Sequence, residues 1–145
     1  MHTKQGVFLL IIVAIIAIAT AIAHLSCIYF GPQCYSAQMA PSAIVESAKS
    51  GTLLAPLGTI AVSILFVTLA AYALSAARLI RQLPLLNIGI YLIAGLCTIR
   101  GILPLQLWLR HPSTVNEIEL YVGFVWLAVG LFCFFGFRAM NKSSV

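Results

Sequence analysis

Residues 7–25 read VFLLIIVAIIAIATAIAHL and carry no charged side chain. An α-helix rises about 1.5 Å per residue and a bilayer's hydrocarbon core is about 30 Å thick, so about 20 apolar residues cross it. Three further runs have the same character, at residues 53–75, 86–103 and 120–137. None of the four contains Asp, Glu or Lys, and Arg100 is the one charge inside them. In lipid, backbone polar groups must be paired within the segment, so these runs are read as helices. The alternating pattern of an outer-membrane barrel strand is absent. The expected fold is all-α: a polytopic membrane four-helix bundle, one transmembrane domain over residues 1–145, with a short amphipathic helix in the first external loop.

Composition agrees. The chain has 145 residues, 62% hydrophobic and 8% charged. Soluble domains run at about 45–50% apolar and about 25% charged. Too little charge is present to coat a globule in water. That excludes an ordinary soluble enzyme, a nucleic-acid-binding domain and a disordered chain. The net charge of +5 is a matter of topology and does not point to a nucleic-acid partner.

Basic residues near the span ends set orientation. Lys4, Arg78, Arg81, Arg138 and Lys142 fall on one side; Lys49 and Arg110, with Arg100 near them, fall on the other. The larger group marks the cytoplasm, so both termini are expected inside. The acids Glu46, Glu117 and Glu119 all fall outside. An alternative is a signal peptide cleaved after Ala23, since Ala21-Ile22-Ala23 resembles a peptidase site. The apolar run there is longer than the usual 7–15 residues of a signal peptide.

The first external loop, residues 26–52, contains the turn signal Gly31-Pro32 between Cys27 and Cys34. A disulfide across that turn suits an oxidising compartment. Residues 41–50 read as a small helix, with Ile44, Val45 and Ala48 on one side and Ser42, Glu46 and Lys49 on the other. Tyr29, Tyr35, Trp108 and Tyr121 are expected in the aromatic belt of the outer interface. Cys97 and Cys133 lie in helices and read as small buried apolar residues.

Helical periodicity groups small and polar residues into one stripe per span. These are Ala14, Ala17, Ala21 and His24; Ala55, Thr59, Ser63, Ala70, Ala73 and Ala77; Asn87, Tyr91, Ala94, Thr98 and Gly101; and Gly123, Trp126, Gly130 and Phe137. Small residues let helix backbones approach closely in lipid, so the stripes read as inward faces. They contain no carboxylate, which argues against a proton-coupled transporter acting alone.

Candidate site residues follow from chemistry. His24, at the outer end of the first span, titrates near neutral pH and can donate, accept or ligate. Arg100 is an intramembrane charge, which marks function by default. Tyr29 and Glu46 lie at the same outer end. No zinc cluster, phosphate loop, nucleophile elbow or carboxylate pair is present. His24 is the one histidine in the spans, with His2 and His111 outside them, so no bis-histidine haem site is expected. No cofactor, metal ligand or catalytic residue is assigned.

The architecture resembles four-helix thiol-oxidising membrane enzymes of the DsbB or vitamin-K-epoxide-reductase kind. Those use a Cys-x-x-Cys pair beside a quinone, and here Cys27 and Cys34 are the pair that could serve. The series His24-x2-Cys27, Gly31-Pro32-x-Cys34-Tyr35, Ala40-Pro41-Ser42 and Arg100-Gly101 resembles small four-helix bacterial inner-membrane proteins of uncharacterised function. That resemblance implies the fold and transfers no activity. The expected function is a non-enzymatic inner-membrane protein. It would bind a lipid, a small amphiphile or a partner membrane protein at its outer-leaflet end, through His24, Tyr29, Arg100 and Glu46. The alternatives are an oligomeric transport or efflux subunit and a thiol oxidoreductase.

Overall fold

The computed structural model describes residues 2–142. Met1 and residues 143–145 lie outside them, as do the side chains of His2 and Lys142 weighed above. Among the described residues the chain is helical with no strand. The helices are α1 (His2–Phe30), α2 (Pro32–Ala37), α3 (Ser42–Ser50), α4 (Leu54–Ala76), α5 (Leu86–Arg110) and α6 (Glu117–Lys142). A short 3-10 turn, Pro112–Thr114, precedes α6. Four of these, α1, α4, α5 and α6, are long and apolar enough to cross a membrane. They are the complement a membrane four-helix bundle needs, and α3 is the small amphipathic helix between the first two.

The helices overrun the apolar runs. α1 continues to Phe30, so the start of the first loop is helical. α5 continues through Pro104 to Arg110, which leaves a shorter second connection. A proline removes one hydrogen bond from a helix, but apolar surroundings offer the backbone no water as an alternative.

The contacts divide the chain into two compact units. The second is Ile15–Ala70; the first holds the residues up to Ala14 and those from Ala71 onward. α1 and α4 each contribute to both.

In the first unit, α5 and α6 pack antiparallel at positions without side chains. A Cβ at Gly101 would come within 2.7 Å of the Gly123 carbonyl oxygen, and one at Gly130 within 2.8 Å of the Thr98 nitrogen. Near the start of α1, a Cβ at Gly6 would lie 2.9 Å from the Gly136 carbonyl oxygen. Small residues thus bring backbones into contact in the way lipid-embedded helices associate. The buried face of α5 is Leu86, Ile90, Ala94, Cys97, Gly101 and Pro104. Asn87 and Tyr91, expected on that face, are exposed. Ile90 and Cys97 take their place, because an apolar side chain fills a packed seam without leaving a polar group unbonded. Tyr91 still meets α6 at its edge, with ring centroids 5.9 Å from Phe134 and 5.7 Å from Phe137. The α4–α5 connection is tied by buried Ser75, whose hydroxyl donates to the Arg81 carbonyl at 3.2 Å and accepts the Leu83 N–H at 2.9 Å.

The other stripes hold. Ala14, Ala17, Ala21, Ala55, Thr59, Ser63, Ala70, Ala73, Ala77, Gly123, Gly130 and Phe137 are all buried, while His24 and Trp126 are half-buried. Gly101→Leu forces α5 and α6 apart and is expected to destabilise the protein by about 1–3 kcal/mol. Gly95→Ala meets nothing within 4 Å, so it is expected to be neutral or stabilising. Reversible unfolding in mixed micelles distinguishes the two variants.

Candidate functional site

The second unit carries a lobe built on one corner. Gly31 takes φ 77°, a left-handed conformation that glycine reaches without strain, and this ends α1. Pro32 opens α2, where its missing N–H falls among groups a first turn leaves unbonded anyway. The chain then returns along α1. A disulfide joins Cys34 to Cys27, and the Gln38 amide nitrogen donates to the Ala23 carbonyl at 2.7 Å. Closing a loop this short removes roughly 2–3 kcal/mol of unfolded-chain entropy.

α3 closes the lobe. It starts after Pro41 and stops at Gly51, whose φ of 67° lets the Thr52 N–H reach the Ser47 carbonyl at 3.0 Å. Its apolar side, Ile44, Val45 and Ala48, packs on a buried core of Cys27, Tyr35 and Ala55. Its polar side holds Ser42, Glu46 and Lys49 in the open. Ser47 is buried, and its hydroxyl accepts the Ala55 N–H at 2.9 Å. That satisfies one of the donors the first turn of α4 leaves free. Ser47 also shares a 2.6 Å hydrogen bond with the Thr52 hydroxyl.

Tyr35 is a correction. Expected in an interfacial belt, it is 6% exposed, and the hydroxyl of Thr59 on α4 donates to its oxygen at 3.1 Å. A tyrosine in a small core keeps its ring dry when its hydroxyl finds such a partner. Tyr29, Trp108 and Tyr121 are exposed, as a belt requires.

The four candidate residues have different surroundings. His24 is half-buried; its ring stacks on Phe66 with centroids 5.4 Å apart, and Nδ1 bonds to the Gln38 side-chain oxygen. The Gln38 nitrogen is committed to Ala23 and, at 3.7 Å, to the Cys34 sulfur. The oxygen facing His24 can only accept, so Nδ1 carries the hydrogen and Nε2 of the neutral ring keeps its lone pair. This tautomer is assigned from the hydrogen-bond network. Tyr29 is 88% exposed. Glu46 is exposed and pairs with Lys49 at 3.6 Å, a surface contact worth under about 1 kcal/mol. Arg100 is exposed on α5, in the first unit. One unit therefore contains His24, Tyr29 and Glu46, and the other contains Arg100.

A half-open cleft of about 190 Å³ enters the lobe, lined among others by Ile28, Tyr35, Ala48, Leu53 and Pro56. At about 30 Å³ per water it has room for about six waters. That suits the end of an acyl chain or one small group better than a molecule of drug size.

The bridge is placed as a fastening. Cys27 is fully buried and Cys34 half-buried, so an incoming thiol would meet Cys34 and expel a Cys27 thiolate into an apolar core. A thiolate without solvent is a poor leaving group, and this weighs against a cycling disulfide. Cys97 and Cys133 are buried and unbridged. Among the described residues no group of three or more His, Cys, Asp or Glu side chains could hold a metal ion.

Three structural residues escaped the sequence reading: Tyr35, Gln38 and Ser47. The signal for Ser47 was its place ahead of an apolar run and a glycine. Gln38 had no local signal, since its partners sit 14 or 15 residues away. Compared with known proteins, the chain matches no family model, no curated protein and no solved structure.

Ser47→Ala leaves the first turn of α4 short of its acceptor and is expected to cost about 1 kcal/mol. Gln38→Leu removes the ties to His24 and Ala23 and is expected to speed reduction of the Cys27–Cys34 bridge by about tenfold, as local opening becomes easier. Denaturation in detergent and timed thiol trapping under dithiothreitol measure these effects.

Proposed function

We propose that this is a non-enzymatic multi-pass inner-membrane protein, with both termini in the cytoplasm, that binds a lipid or other small amphiphile at its outer-leaflet end. The observation that carries the proposal is the half-open apolar cleft in the disulfide-closed lobe. A bridge of this kind persists in an oxidising compartment, which supports placing the lobe outside. The distribution of Lys and Arg along the chain supports the same orientation.

The chemistry of the lobe supports binding over catalysis. The Ser47 hydroxyl bonds α3 to α4, the Thr59 hydroxyl bonds α4 to Tyr35, and the Gln38 amide bonds back to α1. His24 presents one nitrogen to Gln38 and one face to Phe66. Among the described residues no hydroxyl or thiol hydrogen-bonds to His24. The exposed Tyr29 and the Glu46–Lys49 pair give the lobe a polar and aromatic rim, as suits a surface at the headgroup level.

The test uses the full chain in mild detergent with a diazirine-bearing palmitate. Photolabelling is expected in the peptide spanning residues 26–56. Ala48→Phe, which puts a phenyl ring into the cleft, is expected to lower that labelling about tenfold while the bridge and helicity remain, since the ring takes the space of the occupant. Equal labelling of both proteins overturns the proposal. So does a stoichiometric membrane-protein partner with no lipid label in the lobe.

A further inference from the structure

The two sulfurs of the lobe stand in different surroundings. Cys27 is fully buried in the small core with Tyr35 and Ala55, under the apolar side of α3. Cys34 is half-buried on α2. Its sulfur lies 3.7 Å from the side-chain nitrogen of Gln38, four residues on. One sulfur is therefore shielded by apolar side chains, and the other is reachable and faces an N–H donor.

The Gln38 amide is fixed at three points. Its oxygen accepts from Nδ1 of His24, and its nitrogen donates to the Ala23 carbonyl at 2.7 Å and toward the Cys34 sulfur. Turning the amide over would break all three contacts. The spacing of four residues makes the contact with Cys34 a local one, so it does not need the bridge in order to form.

These surroundings act on the pair before it closes. A thiol attacks as its thiolate, and hydrogen bonds to an anion are stronger than those to a neutral acceptor. The Gln38 N–H thus favours the reactive form of Cys34. A charge on Cys27 would sit among apolar side chains, which is costly. The two Cα atoms are 5.1 Å apart. Cys27 can reach the sulfur of Cys34 from inside the core, where a bulky oxidant cannot reach Cys27.

We propose that Cys34 is the thiol that takes up oxidising equivalents from an organic disulfide, assisted by the Gln38 amide, and that Cys27 is the thiol that resolves the adduct. The Cys34 thiolate attacks one sulfur of the incoming disulfide, and the other sulfur leaves as a thiolate. The Cys27 sulfur then attacks Cys34, its proton passes to water, and the second thiolate of the co-reactant leaves. Two protein thiols are oxidised to the bridge, and one disulfide is reduced to two thiols. In reverse, a thiol must attack Cys34 and expel Cys27 as a thiolate into the apolar core, so the pair closes more readily than it opens. The proposal stands apart from the lipid reading of the cleft.

The test uses the full chain in mild detergent, reduced and freed of reductant, with glutathione disulfide as the probe. Cys27→Ala is expected to gain a glutathione adduct on Cys34. Cys34→Ala is expected to gain one on Cys27 at least about tenfold more slowly, since a buried sulfur reacts only through local opening. Gln38→Leu added to Cys27→Ala is expected to slow the Cys34 adduct about threefold. The lost hydrogen bond lowers the thiolate fraction about tenfold, and the greater nucleophilicity of the remaining thiolate returns about threefold. Loosening of the lobe alone would speed this adduct, just as it speeds reduction of the closed bridge. Opposite changes in the two rates therefore identify the amide as the donor. If the alanine variants lose helicity, the reduced wild type is pulsed with the probe, quenched in acid and cut with chymotrypsin after Tyr29 or Phe30, which separates the two cysteines. The first adduct is expected on Cys34. Equal rates at the two cysteines, a first adduct on Cys27, or an unchanged or faster Cys34 adduct with Gln38→Leu overturns the proposal.

Discussion

Hydrocarbon offers a peptide backbone nothing to bond to, and every feature of this chain answers to that fact. Inside the four long helices the answer is the helix itself. The interest lies where the helical ladder is interrupted. At the start of α4 the Ser47 hydroxyl, delivered by α3, accepts the Ala55 N–H. Within α1 the Ala23 carbonyl takes a second hydrogen bond, from the Gln38 amide, which ties the chain beyond Gly31 back to the helix. Between α4 and α5, Ser75 serves as donor and acceptor to the connecting strand of backbone. The breaks at the two ends of α4 are thus repaired by serine side chains.

This explains why so short a chain contains small helices between its long ones. α2 and α3 together bury little apolar surface, and either one alone would be marginal in water. Held by the bridge and by Gly31 and Gly51, they form a lobe with its own core of Cys27, Tyr35 and Ala55. Ser47 and Thr59 face inward in the lobe, and its cleft opens between the end of α1, Tyr35 and the α3–α4 turn.

The sequence made the long helices plain because lipid imposes a simple rule on composition, and the small-residue stripes on α1, α4 and α6 followed from one more rule, close approach. The α5 stripe was misplaced at Asn87 and Tyr91, since counting polar residues as inward works only where they have partners. α3 was readable from Pro41, Gly51 and its two-sided pattern. α2 was not, being one turn and a half of residues with weak propensity that helix formation alone would not hold. Cys27 and Cys34 could be paired from spacing and compartment, but Tyr35 and Gln38 could not be placed. Their positions depend on the chain returning along α1, a long-range event with no periodic trace. For the candidate site, residue types pointed to His24 and Arg100; the surroundings of His24, Phe66 and Gln38, are tertiary and leave no trace in its own segment.

The Cys27–Cys34 bridge also has a bearing on how the chain is made. A thiol pair closes on the oxidising side of a membrane and stays open on the other. Copies inserted with the lobe in a reducing compartment would lack the fastening that holds α2 against α1. They would present Tyr35, Cys27 and the apolar side of α3 as a loose, adhesive segment, open to proteases and quality control. With the orientation proposed above, correct threading and a finished lobe would be a single event, and the bridge a stamp that only properly oriented molecules receive.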